Sequence, residues 1–261
     1  MSDVLTRESQ PPDLVLSYGP RGDQVADLRL PRNAAEPPLV IFVHGGFWQA
    51  AYDRTHTGPL ADALAADGFA VCAPEYRRVG QEGGDWPGTF EDIAAAVDAL
   101  PGLVAAAVGG AVDLNRVVLG GHSAGGHLAL WAASRDGQAE AVAVVSLAGV
   151  CDLADCFRQG LGGGAAGQLM GGGPDQYPDR YRQADASALL PASAPVWLVH
   201  GDADDRVPVE QSRTYAERTN AAGGWASCRV LENCGHFELI DPLTPAWPDV
   251  LAAFRAGAGL A

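Results

Sequence analysis

Between Val117 and Trp131 the chain reads V-V-L-G-G-H-S-A-G-G-H-L-A-L-W, and at its centre, Gly121-His122-Ser123-Ala124-Gly125, a serine is flanked by glycines two positions away on either side. A serine hydroxyl attacks a carbonyl carbon only when a base takes its proton, and it must stand clear of the backbone to reach a substrate. A sharp turn from strand into helix exposes it in this way, and glycines at the flanks relieve the crowding that such a turn creates. The surroundings fit: Arg116–Leu119 reads as strand and Leu128–Ala133 as helix, so the pentapeptide falls where the turn must be.

Attack on a carbonyl builds negative charge on its oxygen, and preorganised N–H donors must receive that charge. The stretch L-V-I-F-V-H-G-G-F-W, Leu39 to Trp48, runs an apolar strand into two glycines, where backbone can approach a substrate closely. Gly46 and Phe47 are the expected donors from this loop, with Gly45 shaping it, and Ala124, the residue after the serine, supplies the third N–H.

A base must also be found among six histidines. His122 adjoins the serine at a strand end and faces away from it. His127 lies about one helical turn further on and reads as a packed, hydrogen-bonded residue. His44 opens the glycine loop and is expected to fix its shape, and His56 sits in a polar stretch with no evident partner. His200 ends an apolar strand and reads as support. His236, in E-N-C-G-H-F-E-L-I, is left. For an acid to orient the base, V-W-L-V-H-G-D-A-D-D-R-V-P offers Asp202, Asp204 and Asp205, and Asp152 lies after an earlier strand.

These groups need a scaffold. Apolar runs rich in Val, Leu and Ile recur at Leu39–Val43, Phe69–Ala73, Val117–Leu119, Val142–Leu147 and Val196–Val199, as in strands buried on both faces, with a last strand at Cys228–Leu231. Helical patterns alternate with them at Pro59–Ala66, Thr89–Leu100, Ala124–Ser134, Val209–Asn220 and Pro245–Ala256. Strand and helix in alternation imply a mainly parallel sheet. Leu14–Tyr18 and Val25–Leu30, separated by G-P-R-G-D, suggest an antiparallel hairpin at one edge, making about eight strands in all. Asp152–Leu190, with its glycine runs, is too long for a simple connection and reads as a lid-like insertion at 152–190 within a single α/β domain spanning 1–261.

The net charge of −15 repels phosphate backbones and anionic headgroups, so neither nucleic acid nor a membrane surface is an expected partner. No apolar run approaches the roughly 20 residues that span a bilayer. The start, M-S-D-V-L-T-R-E-S-Q, lacks the pattern of a secretory signal, which points to the cytoplasm. Cys72, Cys151, Cys156, Cys228 and Cys234 form no C-x-x-C pair and read as small buried hydrophobes. The glycine runs lack the context of a phosphate loop, and no histidine or cysteine spacing suggests zinc, so no cofactor is implied.

In H-G-G-F-W-Q (His44–Gln49), A-P-E-Y-R (Ala73–Arg77) and G-H-S-A-G-G-H-L-A (Gly121–Ala129) the chain resembles the α/β-hydrolase superfamily, and within it the esterases and kynurenine formamidases. The resemblance runs over nearly the whole chain. It implies the α/β-hydrolase fold and a serine hydrolase whose nucleophile, acid and base follow in the order Ser, Asp, His. It places the base on the loop after the last strand, hence His236. The pattern H-G-x-x-D-x-x-V-P, matched over His200–Pro208, selects Asp204 as the acid. The chain departs from H-G-G-G lipases by carrying Phe47 at the third glycine, which weighs against bulky tertiary-alcohol esters. Carboxylesterase is the first expected activity on a small-molecule ester, arylformamidase acting on N-formylkynurenine the second, and a non-catalytic binding module the third. Phe47 is followed by Trp48, and Trp86 sits in the loop after another strand. With His122, both tryptophans are expected to face substrate, favouring short acyl groups on flat leaving groups.

Overall fold

The computed structural model describes residues 3–135 and 141–260. Eight strands, β1 (Leu14–Ser17), β2 (Val25–Arg29), β3 (Pro38–Val43), β4 (Ala70–Pro74), β5 (Asp113–His122), β6 (Ala143–Leu147), β7 (Val196–Gly201) and β8 (Ala226–Leu231), form one sheet in the order β1-β2-β4-β3-β5-β6-β7-β8. The pairs β1–β2 and β2–β4 are antiparallel and every other pair is parallel, so the expected hairpin does sit at one edge.

Alternation along the central strands feeds two cores. Leu39, Ile41 and Val43 of β3 point into one, where Phe90 and Ile93 of α2 (Gly88–Val108) and Leu128 of α3 (Ala124–Ala132) meet them. Val40 and Phe42 point into the other, against Leu60 and Leu64 of α1 (Gly58–Ala66) and Val250 and Phe254 of α8 (Trp247–Gly257). Burial on both faces explains why these strands read as unbroken apolar runs, each large side chain contributing on the order of 2 kcal/mol. The fold is that of the α/β-hydrolases.

Several bounds differ from expectation for identifiable reasons. The helix expected to stop at Leu100, just before Pro101, continues to Val108 through an alanine-rich stretch and ends at Gly109 with φ 65°, a left-handed residue that closes helices. Strand β5 is longer than Val117–Leu119 because it carries Gly120 and Gly121 to the turn, and Gly120 lies under the Phe254 ring, where a Cβ would come within 2.8 Å.

Residues 152–190 contain α4 (Leu153–Arg158), α5 (Leu161–Met170) and α6 (Pro178–Ala184). Leu153, Cys156, Leu169, Met170 and Tyr181 from this segment join the same core as α2 and α3. Helix α7 (Glu210–Ala221) lies between β7 and β8 in the chain. Four of the five cysteines are buried and Cys228 is half-buried. Among the described residues, no helix is long and apolar enough to cross a membrane.

Candidate active site

Strand β5 ends at His122, and Ser123 follows with φ 57° and ψ −120°, outside the regions an ordinary L-residue prefers. Neighbours hold it there: its N–H donates to Leu147 O at 2.8 Å, and its carbonyl accepts from His127 N and Val150 N, each at 3.2 Å. The flanking glycines are required by close approach. A Cβ on Gly125 would sit 2.0 Å from Val43 O, and one on Gly121 would sit 2.2 Å from Gly125 O. Ala124 opens α3, so its N–H is one of the donors that a helix's first turn leaves unpaired, at the positive end of the helix dipole.

His236 sits after β8 at the start of a short turn, Phe237–Ile240. Its Nδ1–H donates to Asp204 Oδ2 at 2.7 Å. The other oxygen of Asp204 accepts from the backbone N–H groups of Arg206 and Val207 at 2.8 and 2.9 Å. His200 Nε2 lies 3.2 Å from Oδ2 and 2.9 Å from Val207 O, while Ser212 Oγ donates to its Nδ1 at 2.8 Å. Burial opposes ionisation of Asp204, but the hydrogen bonds from His200 and His236 outweigh it and hold the carboxyl far below the usual carboxylate range. The competing carboxylates are engaged elsewhere. Asp202 accepts from Asn233 N at 2.7 Å, Asp205 is exposed beside Arg206, and Asp152 caps α4 through Asp155 N at 2.6 Å.

His122 lies beside Ser123 at the edge of the same cavity, and its Nε2–H donates to the carbonyl of His236 at 3.0 Å, the two rings lying 4.5 Å apart. Burial pushes its pKa well below the ordinary value, with the charge of His236 acting in the same direction, so the ring stays neutral. His127 donates from Nε2 to Ala184 O at 2.8 Å, as a packed residue would.

In the glycine loop, Gly46, Phe47 and Trp48 all take positive φ, at 115°, 50° and 57°. This turn sends Phe47 outward and Trp48 inward. Trp48 is fully buried, edge-on to His127 at 5.3 Å, and it corrects the expectation of a substrate wall. Trp86 likewise packs against Phe90 at 5.0 Å, its residue half-buried in the core margin. His44 anchors the loop, its Nδ1 2.8 Å from Gly45 O and its Nε2 2.9 Å from Glu75 Oε1. Glu75, in the A-P-E-Y-R stretch, also meets Arg78 Nη1 at 3.1 Å and Arg54 N at 3.2 Å. Burial raises its pKa, yet the bond from His44 and the charges of His44 and Arg78 bring it below the ordinary value.

Ser123 and His236 line one cavity of about 260 Å³ together with Leu5, Gly46, Phe47, Tyr52, His56, His122, Arg206 and Phe237. No hydrogen bond joins Ser123 Oγ to His236 directly among the described residues; such contacts often tighten only when substrate is bound. A larger cleft of about 640 Å³ between Gln10–Ala34 and Asp62–Gly68 contains none of these groups. Leu5, Tyr52, His56, Arg206 and Phe237 were not expected. His56, whose polar surroundings suggest no partner, lies edge-on to Tyr52 and His44, and burial lowers its pKa to about 4. Phe237 and Arg206 each adjoin a residue that the motifs do single out. Among the described residues, no group of three or more His, Cys, Asp or Glu side chains is arranged to hold a metal ion.

The BD-FAE family model matches residues 26–218, well over half of the sequence. The chain belongs to the BD-FAE family. It is 30% identical over 257 residues to the isoprenylcysteine alpha-carbonyl methylesterase ICME of Arabidopsis thaliana, a match covering 87% of this chain and 57% of that protein. It is 29% identical to the esterase LipC of Mycobacterium tuberculosis, covering 78% and 54%. A shorter match, 31% over 120 residues, covers 46% of the chain and 38% of the kynurenine formamidase of Danio rerio. The chain thus spans about half the length of the first curated relatives it matches. Among solved structures, a truncated carbohydrate esterase from gut microbiota superimposes with a TM-score of 0.80 at 19% identity, covering 96% of this chain and all of that one.

Proposed function

We propose that the protein is a serine hydrolase that cleaves small carboxylic esters through an acyl-enzyme. The observation that carries this reading is the 2.7 Å bond from His236 to Asp204 beside a cavity that also contains Ser123 at a strained turn. Ser123 Oγ forms a bond to the ester carbon as its proton passes to His236 Nε2. Asp204 remains ionised, fixes the imidazole tautomer and stabilises the imidazolium. The N–H groups of Gly46, Phe47 and Ala124 receive the developing oxyanion. The C–O bond to the alcohol then breaks, His236 returns the proton to the leaving oxygen, and water cleaves the acyl-enzyme by the same path in reverse.

Residues 152–190 serve in this reading as a cap within a single catalytic domain, and Gly162 comes so close to Phe47 that an added Cβ would stand 2.6 Å from its ring. His122 acts through the backbone of His236. The partner is a small-molecule ester, with neither nucleic acid nor membrane involved, and the site of action is the cytoplasm. A fluorophosphonate should label Ser123 and no other residue, and Ser123→Ala should abolish labelling and turnover together. An unmodified protein that still hydrolyses esters would overturn the reading.

Arylformamidase is the second reading, favoured by the match to a kynurenine formamidase and by the aromatic side of the cavity, Phe47, Tyr52 and Phe237. A kcat/KM for N-formylkynurenine above that for aryl acetates would place it first.

A further inference from the structure

The chain ahead of β1 reaches into the cavity that holds Ser123. Val4 is fully buried in the core formed by α1 and α8, and the next side chain, Leu5, packs on that core's edge and lines the cavity. Two residues on, Arg7 clamps the nearly buried Asp241 through both of its carboxylate oxygens, with Nη2 3.0 Å from Oδ2. Asp241 ends the turn that begins at His236. A strap of a few residues is therefore fastened on either side of Leu5, by an apolar anchor before it and an ion pair after it, and the ion pair lies on the turn that carries His236. A side chain held at both ends of its segment is a fixed wall.

We propose that Leu5 is a specificity-determining residue: with Phe47 and Phe237 it closes the cavity and limits the length of one arm of the ester. The inference rests on the esterase reading. About 260 Å³ falls at the small end of ligand sites, so removing an isobutyl group from its lining changes what fits. Each methylene accepted or refused by an apolar pocket is worth about tenfold or more in kcat/KM.

The test compares wild type with Leu5→Ala and Leu5→Phe on two homologous series, aryl esters from acetate to octanoate and alkyl acetates from methyl to hexyl. Fluorophosphonate labelling of Ser123 is measured in every variant. In one of the two series Leu5→Ala should raise the long-to-short ratio of kcat/KM by about tenfold, and Leu5→Phe should lower it. Arg7→Ala, which unfastens the strap, should move the ratio in the same direction as Leu5→Ala. A ratio unchanged in both series, or a uniform fall at every chain length, in variants that still label, overturns the proposal. If Leu5→Ala does not fold, Leu5→Phe and the size-conserving Leu5→Met decide it by the same ratio. A wild type that neither labels nor cleaves any ester would instead remove the esterase reading beneath it.

Discussion

Asp202, Asp204 and Asp205 offer the same carboxylate within four positions, yet their surroundings give them different work. Asp204 alone bonds an imidazole of the cavity, while two backbone N–H groups hold its other oxygen. In the proposed mechanism Asp204→Asn should lower kcat by on the order of 10⁴, because the amide favours the wrong histidine tautomer. Asp202→Asn and Asp205→Asn should be far milder, and steady-state kinetics on one aryl acetate separates the three. Glu75 acts at one remove: it accepts from His44 and pairs with Arg54 and Arg78 beneath the glycine loop. Glu75→Gln removes the buried charge that pairs with Arg78 and should cost roughly 3 kcal/mol of stability, read by urea denaturation, with kcat reduced more than KM is raised. The motif around Ser123 and the family resemblance single out Ser123, Asp204 and His236 as candidates, and the structure sets Asp204 against His236 beside the cavity that holds Ser123. They could not reveal Tyr52, His56 or Arg206 as cavity residues, since no periodicity says where a loop side chain ends up. Trp48 misled for a related reason: a positive φ, invisible in the sequence, turned it into the core.

At the scale of elements, the strand–turn–helix at Ser123 depends on α3 pressing against the end of β3. Gly125 is the contact, its Cα so close to Val43 O that a methyl would stand at 2.0 Å. Gly125→Ala should therefore cost on the order of 3 kcal/mol, since backbone on both sides must move. Gly102 provides the contrast. It lies inside α2 with no heavy atom within 4 Å of an added Cβ, so Gly102→Ala should stabilise the protein by about 0.5–1 kcal/mol through helix propensity. Urea midpoints of the two variants should move in opposite directions. Element types were legible because buried parallel strands and amphipathic helices leave different apolar patterns. Element ends were less so: α2 passes Pro101, whose missing N–H removes one helical bond without ending a helix that packs along its length.

At the scale of the whole molecule, the mainly parallel sheet follows from alternating strands and helices, whereas the placing of β4 between β2 and β3 does not, nor does the N-terminal strap, because Arg7 and Asp241 meet across 234 positions of sequence. Long-range packing also creates a liability. His56, His122 and His127 are buried, and burial lowers the pKa of His56 and His127 to about 4 and that of His122 well below the ordinary value. In the unfolded chain these groups protonate near pH 6.5, so between pH 6.5 and 4 the unfolded state binds more protons and stability falls as pH falls. The stability is fully present above pH 6.5. For His127 alone the loss approaches roughly 3 kcal/mol at the bottom of that window. Asp185 works in the opposite direction, since burial, reinforced by the charge of Asp152, raises its pKa and the folded state takes up that proton first, an offset confined to the acid end. Asp204 adds its own loss only below pH 4, as its carboxyl protonates in the unfolded chain. His127→Gln keeps an N–H for Ala184 O and does not titrate. Urea unfolding at pH 7 and pH 4.5 should show a loss of stability in wild type that exceeds the variant's by more than about 1 kcal/mol. Equal losses in the two proteins would mean that His127 does not titrate on unfolding, and would transfer the acid sensitivity to His56 and His122.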